Sequence, residues 1–167
     1  MKEDEVLIIL DWAMKYLPRR YREDQSNWFA KRGISWHISV AFRNDEENTL
    51  QSLAFVHIFE GQISQDAKTT TAIILDTVKT LKRDNPNTNK VHLYSDNAGC
   101  YKSVDTINGL FNSDLITSYD FCEAQDGKGA CDRTAATIKS AVRRYVNQGN
   151  DVMTASQLKQ VFCVFQH

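Results

Sequence analysis

The chain lacks the cysteine and histidine spacing of a metal knuckle. Its four cysteines, Cys100, Cys122, Cys131 and Cys163, include no C-x-x-C pair, and its histidines fall at 37, 57, 92 and 167. A structural zinc site is thereby excluded. Free thiols, buried or half-buried in a reducing compartment, are the plain expectation. No apolar run approaches the ~20 residues of a membrane span, and the start Met1-Lys2-Glu3-Asp4-Glu5 has no signal-peptide layout. Internal repeats and low-complexity segments are absent. An excess of charge is lacking too: the net charge is −1. What is present is the composition of an ordinary globular protein, 42% hydrophobic and 25% charged over 167 residues, enough for one domain with a real core.

Charge distribution says more than net charge. Residues 12–33 carry a net +4 from Lys15, Arg19, Arg20, Arg22, Lys31 and Arg32 against Glu23 and Asp24. Residues 128–144 also carry +4, from Lys128, Arg133, Lys139, Arg143 and Arg144 against Asp132, which leaves −9 for the remainder. Such concentration suits a surface that tracks phosphates. Two solvated faces are the plainer alternative.

Apolar patterning predicts nine elements. Val6–Leu10 is an unbroken apolar run, as in a strand covered on both faces. Residues 12–33 lose periodicity around Pro18 and read as an elaborated, aromatic-rich connection. Its interleaved Arg and aromatic side chains suit either base stacking or anchoring to the core. A period of 2 from Ile34 to Phe42, a polar turn at 44–48 and a run from Leu50 to Phe59 predict a hairpin, with His37 and His57 packed on its faces. Ala67, Thr71, Ile74, Val78 and Leu81 predict a helix over 66–83, stopped by Asn85-Pro86. A strand at Val91–Ser95, a helix carrying Val104, Ile107, Leu110 and Phe111, and a strand at Leu115–Phe121 follow. The last two helices carry Cys131, Ala135, Ile138, Val142 and Tyr145, then Leu158, Val161 and Phe162. Gly149 closes the first, and Thr154 to Gln157 opens the second as a capping box.

The order β-β-β-α-β-α-β-α-α predicts a five-stranded mixed sheet flanked by helices. Right-handed crossover docks the fourth strand beside the first. Two apolar runs end in an acid: Leu10 is followed by Asp11, and Ser95 by Asp96. A third acid, Asp132, opens a helix after the loop Asp126-Gly127-Lys128-Gly129-Ala130. A carboxylate at the end of a buried strand is costly unless a cation or hydrogen bonds compensate it. Adjacent carboxylates repel unless a cation intervenes. Mg²⁺ or Mn²⁺ fits such oxygen donors, and two ions about 3.5–4 Å apart suit phosphodiester chemistry. Asp132 has a plainer role as a first-turn acid facing the helix dipole. A phosphatase of the Asp-x-Asp type is disfavoured, because Trp12-Ala13 follows Asp11.

Element order, the three acids and the 35-residue gap between the second and third resemble the ribonuclease H-like catalytic cores of the DDE/DDD transposase and retroviral integrase superfamily. Asp11-Trp12-Ala13, Gln25-Ser26-Asn27-Trp28, Tyr94-Ser95-Asp96-Asn97-Ala98 and Gly127-Lys128-Gly129-Ala130-Cys131-Asp132 resemble signatures of transposon-derived proteins, over roughly residues 6–162. The resemblance implies a ribonuclease H-like α/β domain spanning 1–167, cut from a longer protein. It implies Mg²⁺- or Mn²⁺-dependent cleavage or strand transfer on DNA by Asp11, Asp96 and Asp132, with two metal ions. Many relatives have Glu in the third place, so Glu123 and Asp126 compete with Asp132. Arg19, Arg20, Arg22, Lys128, Arg133, Lys139 and Arg143 would meet DNA. A nuclear location and a homo-oligomer of the full-length protein are implied as well. Two alternatives stand: a non-catalytic, host-adopted DNA- or protein-binding module with the same fold, and a ribonuclease H or exonuclease relative with the same acids.

Overall fold

A computed structural model describes residues 2–23, 31–122 and 129–164, with side chains described as far as Phe162. Five strands make one mixed sheet: β1 (Glu5–Tyr16), β2 (Ile34–Asn44), β3 (Leu50–Ile58), β4 (Lys90–Ser95) and β5 (Ile116–Phe121). Their spatial order is β3-β2-β1-β4-β5. β1 pairs antiparallel with β2 and parallel with β4, and β4 pairs parallel with β5. The hairpin and the docking of β4 beside β1 are as the patterning predicts.

Helices cover both faces. The helix α1 (Ala67–Asp84) lies on one, with the single turn α2 (Gly99–Lys102) and the helix α3 (Val104–Phe111). The helices α4 (Ala130–Asn147) and α5 (Ala155–Val164) lie on the other. β1 feeds both cores by alternation. Val6, Ile8 and Leu10 join Ile74, Val78, Leu81, Leu93 and Tyr101 on the α1 side. Ile9 and Ala13 join Trp36, Ile38, Cys131 and Ala135 on the α4 side. At α5, Gln157 N–H donates to Thr154 Oγ1 at 3.2 Å while Met153 and Thr154 N–H donate to Gln157 Oε1 at 2.8 and 3.2 Å. The capping box is real. Gly149, at φ +100°, follows the α4 C-cap Gln148.

Three expectations need correction. β1 does not stop at Leu10: it pairs with β2 as far as Tyr16, so residues 12–16 are strand rather than connection. The 11-residue β2 keeps supplying ladder partners after β4 has ended at Ser95. The helix carrying Val104 to Phe111 buries Thr106 and Leu110 instead of the full predicted stripe, and Val104 and Phe111 are exposed. Its eight residues offer only a narrow face to α1. Finally, α1 buries Thr70, Ile73 and Thr77 along with Ile74, Val78 and Leu81, while Ala67 and Thr71 stay half-buried.

Cys100 and Cys122 are half-buried free thiols and Cys131 is a buried one, as expected. No helix among the described residues is long and apolar enough to cross a membrane.

Candidate active site

The last rung between β1 and β4 pairs Leu10 with Ser95. Asp11 and Asp96 each follow that rung by one residue, on neighbouring parallel strands. Asp11 is at the end of the β4 ladder but in the middle of β1, because its other side still pairs with Ile38 of β2. That backbone is held on one side and open on the other. The side chain shares its face with Ile9 and Ala13, toward α4, where Asp132 lies in the first turn. The three carboxylates line one cavity of about 220 Å³, together with Tyr94, Cys122 and Cys131.

The electrostatics agree with that convergence. Asp11 is pushed up to about 6, first by burial, then by the charges of Asp132 and Asp96, with Lys139 opposing. Three like charges sharing one site is the arrangement in which carboxylates hold protons longest. Asp96 is exposed and also has structural work: its Oδ1 accepts from the Ala98 N–H at 3.0 Å. Cys131 is a poor nucleophile here. Burial, followed by the Asp11 charge, pushes its thiol up to about 12, and Sγ–H lies 3.3 Å from the Ile9 carbonyl.

The donor set is hard oxygen. Among the described residues no three His, Cys, Asp or Glu side chains form a group that could hold a metal ion. Mg²⁺ does not need such a cage, since it is usually held by one or two carboxylates with water and substrate phosphate. An open set of carboxylates therefore fits that ion, and does not fit a dedicated protein-only site.

The basic residues divide. Arg19, Lys139 and Arg143 come together around a second cavity of about 180 Å³, with Lys15, Tyr16, Leu17 and Val142. Arg20 and Arg22 are exposed outside it, and the Arg22 guanidinium lies 5.6 Å from the centre of the Tyr21 ring. Arg133 is exposed beside Asp132. Lys128, Glu123 and Asp126 lie outside the described residues, as does Gln25-Ser26-Asn27-Trp28. Lys15 and Tyr16 were missed as site residues because the stretch containing them reads as a loop. A basic residue next to an aromatic at the edge of an apolar run is the only signal they give. A further cavity, of about 310 Å³, is at the far end of the sheet, around Glu3, Arg43, Asp45 and Glu47, and none of the candidate residues lines it.

His37 and His57 pack on a face of the sheet, as predicted, and the structure makes it the α1 face. His37 is fully buried, with Nε2 2.9 Å from the Tyr101 hydroxyl and Nδ1 3.4 Å from Ser39 Oγ. The His57 Nε2 lies 3.0 Å from Asp76 Oδ2.

Sheet order, flanking helices and the position of the acids define a ribonuclease H-like fold of the kind found in integrase and transposase catalytic cores. The catalytic domain of Mos1 mariner transposase superposes with a TM-score of 0.54 at 9% identity, over 98% of this chain and 69% of that one. The catalytic core domain of HTLV-2 integrase in complex with magnesium, in a trimeric form, gives 0.53 at 11% identity, over 93% of this chain and 80% of that one. A chain of the simian T-cell lymphotropic virus intasome, in complex with PP2A regulatory subunit B56 gamma, gives 0.54 at 11% identity over 96% of this chain. The present chain spans about half, 48%, of that intasome chain. Identities this low show the fold alone. No protein of curated function matches the chain in sequence. The sequence model of the family described as "Domain of unknown function (DUF8701)" matches residues 1–164, and the chain belongs to that family.

Proposed function

We propose that this domain carries out metal-dependent phosphodiester cleavage or strand transfer on DNA, as a transposase-like core or its domesticated descendant. The observation that carries the reading is the single cavity lined by Asp11, Asp96 and Asp132, which lie just past the last rung of the β1–β4 ladder and in the first turn of α4. Mg²⁺ or Mn²⁺, bound as one ion or as a pair, would supply charge neutralisation and an activated water or hydroxyl. Asp11, fixed in the β1–β2 ladder, holds its carboxylate rigidly against the opening. Asp96 offers its carboxylate from a turn that its own bond to Ala98 N–H sets. Asp132 adds charge from the first turn of α4, with Glu123 as the competing third acid. The HTLV-2 integrase catalytic core domain forms a complex with magnesium, which supports the choice of ion. On this reading the protein is nuclear, meets DNA through its basic residues, acts as a homo-oligomer, and is part of a longer protein.

A second reading keeps the fold without catalysis, as a DNA- or protein-binding module. The Asp96–Ala98 bond favours it, since that carboxylate has a structural reason to exist. A crystal structure of the protein soaked in Mn²⁺ separates the two. Anomalous density between Asp11 and Asp96 is the expected result. A well-ordered cavity without Mn²⁺ at millimolar concentration would leave the binding module.

A further inference from the structure

The cavity at the end of β1 has what an anion site needs, and among the described residues no anionic group lines it. Lys15, Arg19, Lys139 and Arg143 line it, and no acid is among the described residues around it. Four cations around about 180 Å³ repel one another unless an anion is shared between them. Cation clusters also arise on solvated faces, so the cluster alone decides nothing.

Tyr16 is the second observation. The residue is 6% exposed and lines the same cavity, and its Oη is buried without a hydrogen-bond partner among the described residues. Buried hydroxyls are nearly always paired, and leaving one unpaired is costly. The backbone shows how it comes to be there. Between Ala13 and Tyr16 the β1–β2 register slips, three residues on β1 matching two on β2. Without that bulge, alternation would turn Tyr16 toward α1 with Trp12. With it, Tyr16 packs with Ile34, Val142 and Val146 on the α4 side. Lys139, Val142 and Arg143 stand at i, i+3 and i+4 on one face of α4 and meet it there.

We propose that this cavity is a phosphate subsite that holds one backbone phosphodiester of the bound DNA strand, with the Tyr16 hydroxyl donating to a phosphate oxygen and the four cations around it. The proposal rests on the DNA-directed reading above and adds a defined place for the strand. β1 rises about 3.3 Å per residue, so Tyr16 is at most ~17 Å along the strand from Asp11. Against an axial rise of ~3.4 Å per nucleotide, the gripped phosphate lies within about five nucleotides of the reacting bond. Lys139 bridges the two sites: it lines this cavity and its charge is felt at Asp11.

The test is binding of a labelled random-sequence duplex to the whole chain in EDTA, at several salt concentrations, with thermal melting of each variant. Tyr16→Phe should weaken binding about threefold to tenfold while the free protein melts no lower than wild type, since only an unpaired hydroxyl is lost. Lys15→Ala and Arg143→Ala should each flatten the slope of log affinity against log salt by about 0.9. Lys79→Ala, an exposed lysine of α1 on the other face of the sheet, should leave the slope unchanged. Unaltered affinity in Tyr16→Phe, with Arg143→Ala no different from Lys79→Ala, would overturn the subsite and leave the metal reading standing, because no metal is present. Failure of the wild-type chain to bind duplex, with inorganic phosphate still binding and lost in Arg143→Ala, would overturn the DNA strand as occupant in favour of a free anion.

Discussion

Two titratable groups, one buried and one half-buried, lie one rung apart on opposite faces of the same sheet, and they have opposite fates. His37 pairs with Trp12 across the β1–β2 ladder and Asp11 pairs with Ile38. On the α1 face the His37 ring is closed in by Tyr101, Ser39 and the edge of Trp12, whose centroid is 5.1 Å away. Burial, and secondarily His57, pushes it down to about 3, so it stays neutral and structural. On the α4 face Asp11 opens onto a cavity with two further carboxylates and is pushed up to about 6. A polar group that its neighbours satisfy is part of the scaffold. One held against like charge at a cavity mouth keeps its proton to a higher pH.

The comparison breaks most sharply on the open face. Asp96→Asn should abolish metal-dependent cleavage or joining, by about 10²-fold or more, measured against wild-type turnover on the same DNA. The amide oxygen can still accept from Ala98 N–H, so the fold and the turn should survive. Wild-type turnover in this variant would reduce Asp96 to its turn.

The sealed face is read by pH. Below about 6.5 the unfolded chain takes up a proton that folded His37 refuses until about 3, so its contribution to stability falls as pH drops through that window. Asp11 acts in the opposite sense, its penalty being relieved as pH falls from about 6 to 4. The more deeply buried histidine should win, and the melting temperature should be lower at pH 4.5 than at 7.5. His37→Phe should flatten that acid limb while costing about 1–3 kcal/mol at pH 7.5, because the Tyr101 hydroxyl loses its partner. An acid limb unchanged in this variant would mean that other groups set it.

The smallest effect sharpens the contrast. Asp11→Asn should stabilise the metal-free protein at pH 7 by on the order of 1–2 kcal/mol, the full linkage value being reduced because the carboxyl is part-exposed. The gain should vanish by pH 4, where Asp11 is protonated in the folded state. A loss of stability in denaturant titration at pH 7 would show that Asp11 is satisfied rather than strained.

Much of this was legible in residues alone. The apolar runs ending in Asp11 and Asp96, together with crossover handedness, predict neighbouring strand ends, and Thr154 with Gln157 predicts the cap of α5. The extension of β1 was not legible, because Asp11-Trp12-Ala13-Met14-Lys15-Tyr16 mixes charge and aromatics without strict alternation. Its strand state comes from the pairing that β2 offers, which is a long-range fact. Nor does the apolar pattern of Val104 and Phe111 announce that α3 is too short to bury them both.

By itself the sequence determined where apolar periodicity changes, and so the order of strands and helices and which acids follow the apolar runs. Those are local properties, written in the period of the side chains. Only the tertiary structure decided that Lys15 and Arg19 meet Lys139 and Arg143 across more than a hundred residues, and that a one-residue bulge turns Tyr16 to join them. A single slip of register moves a side chain through the sheet to the opposite face, and no pattern confined to one strand records which register its neighbour will impose.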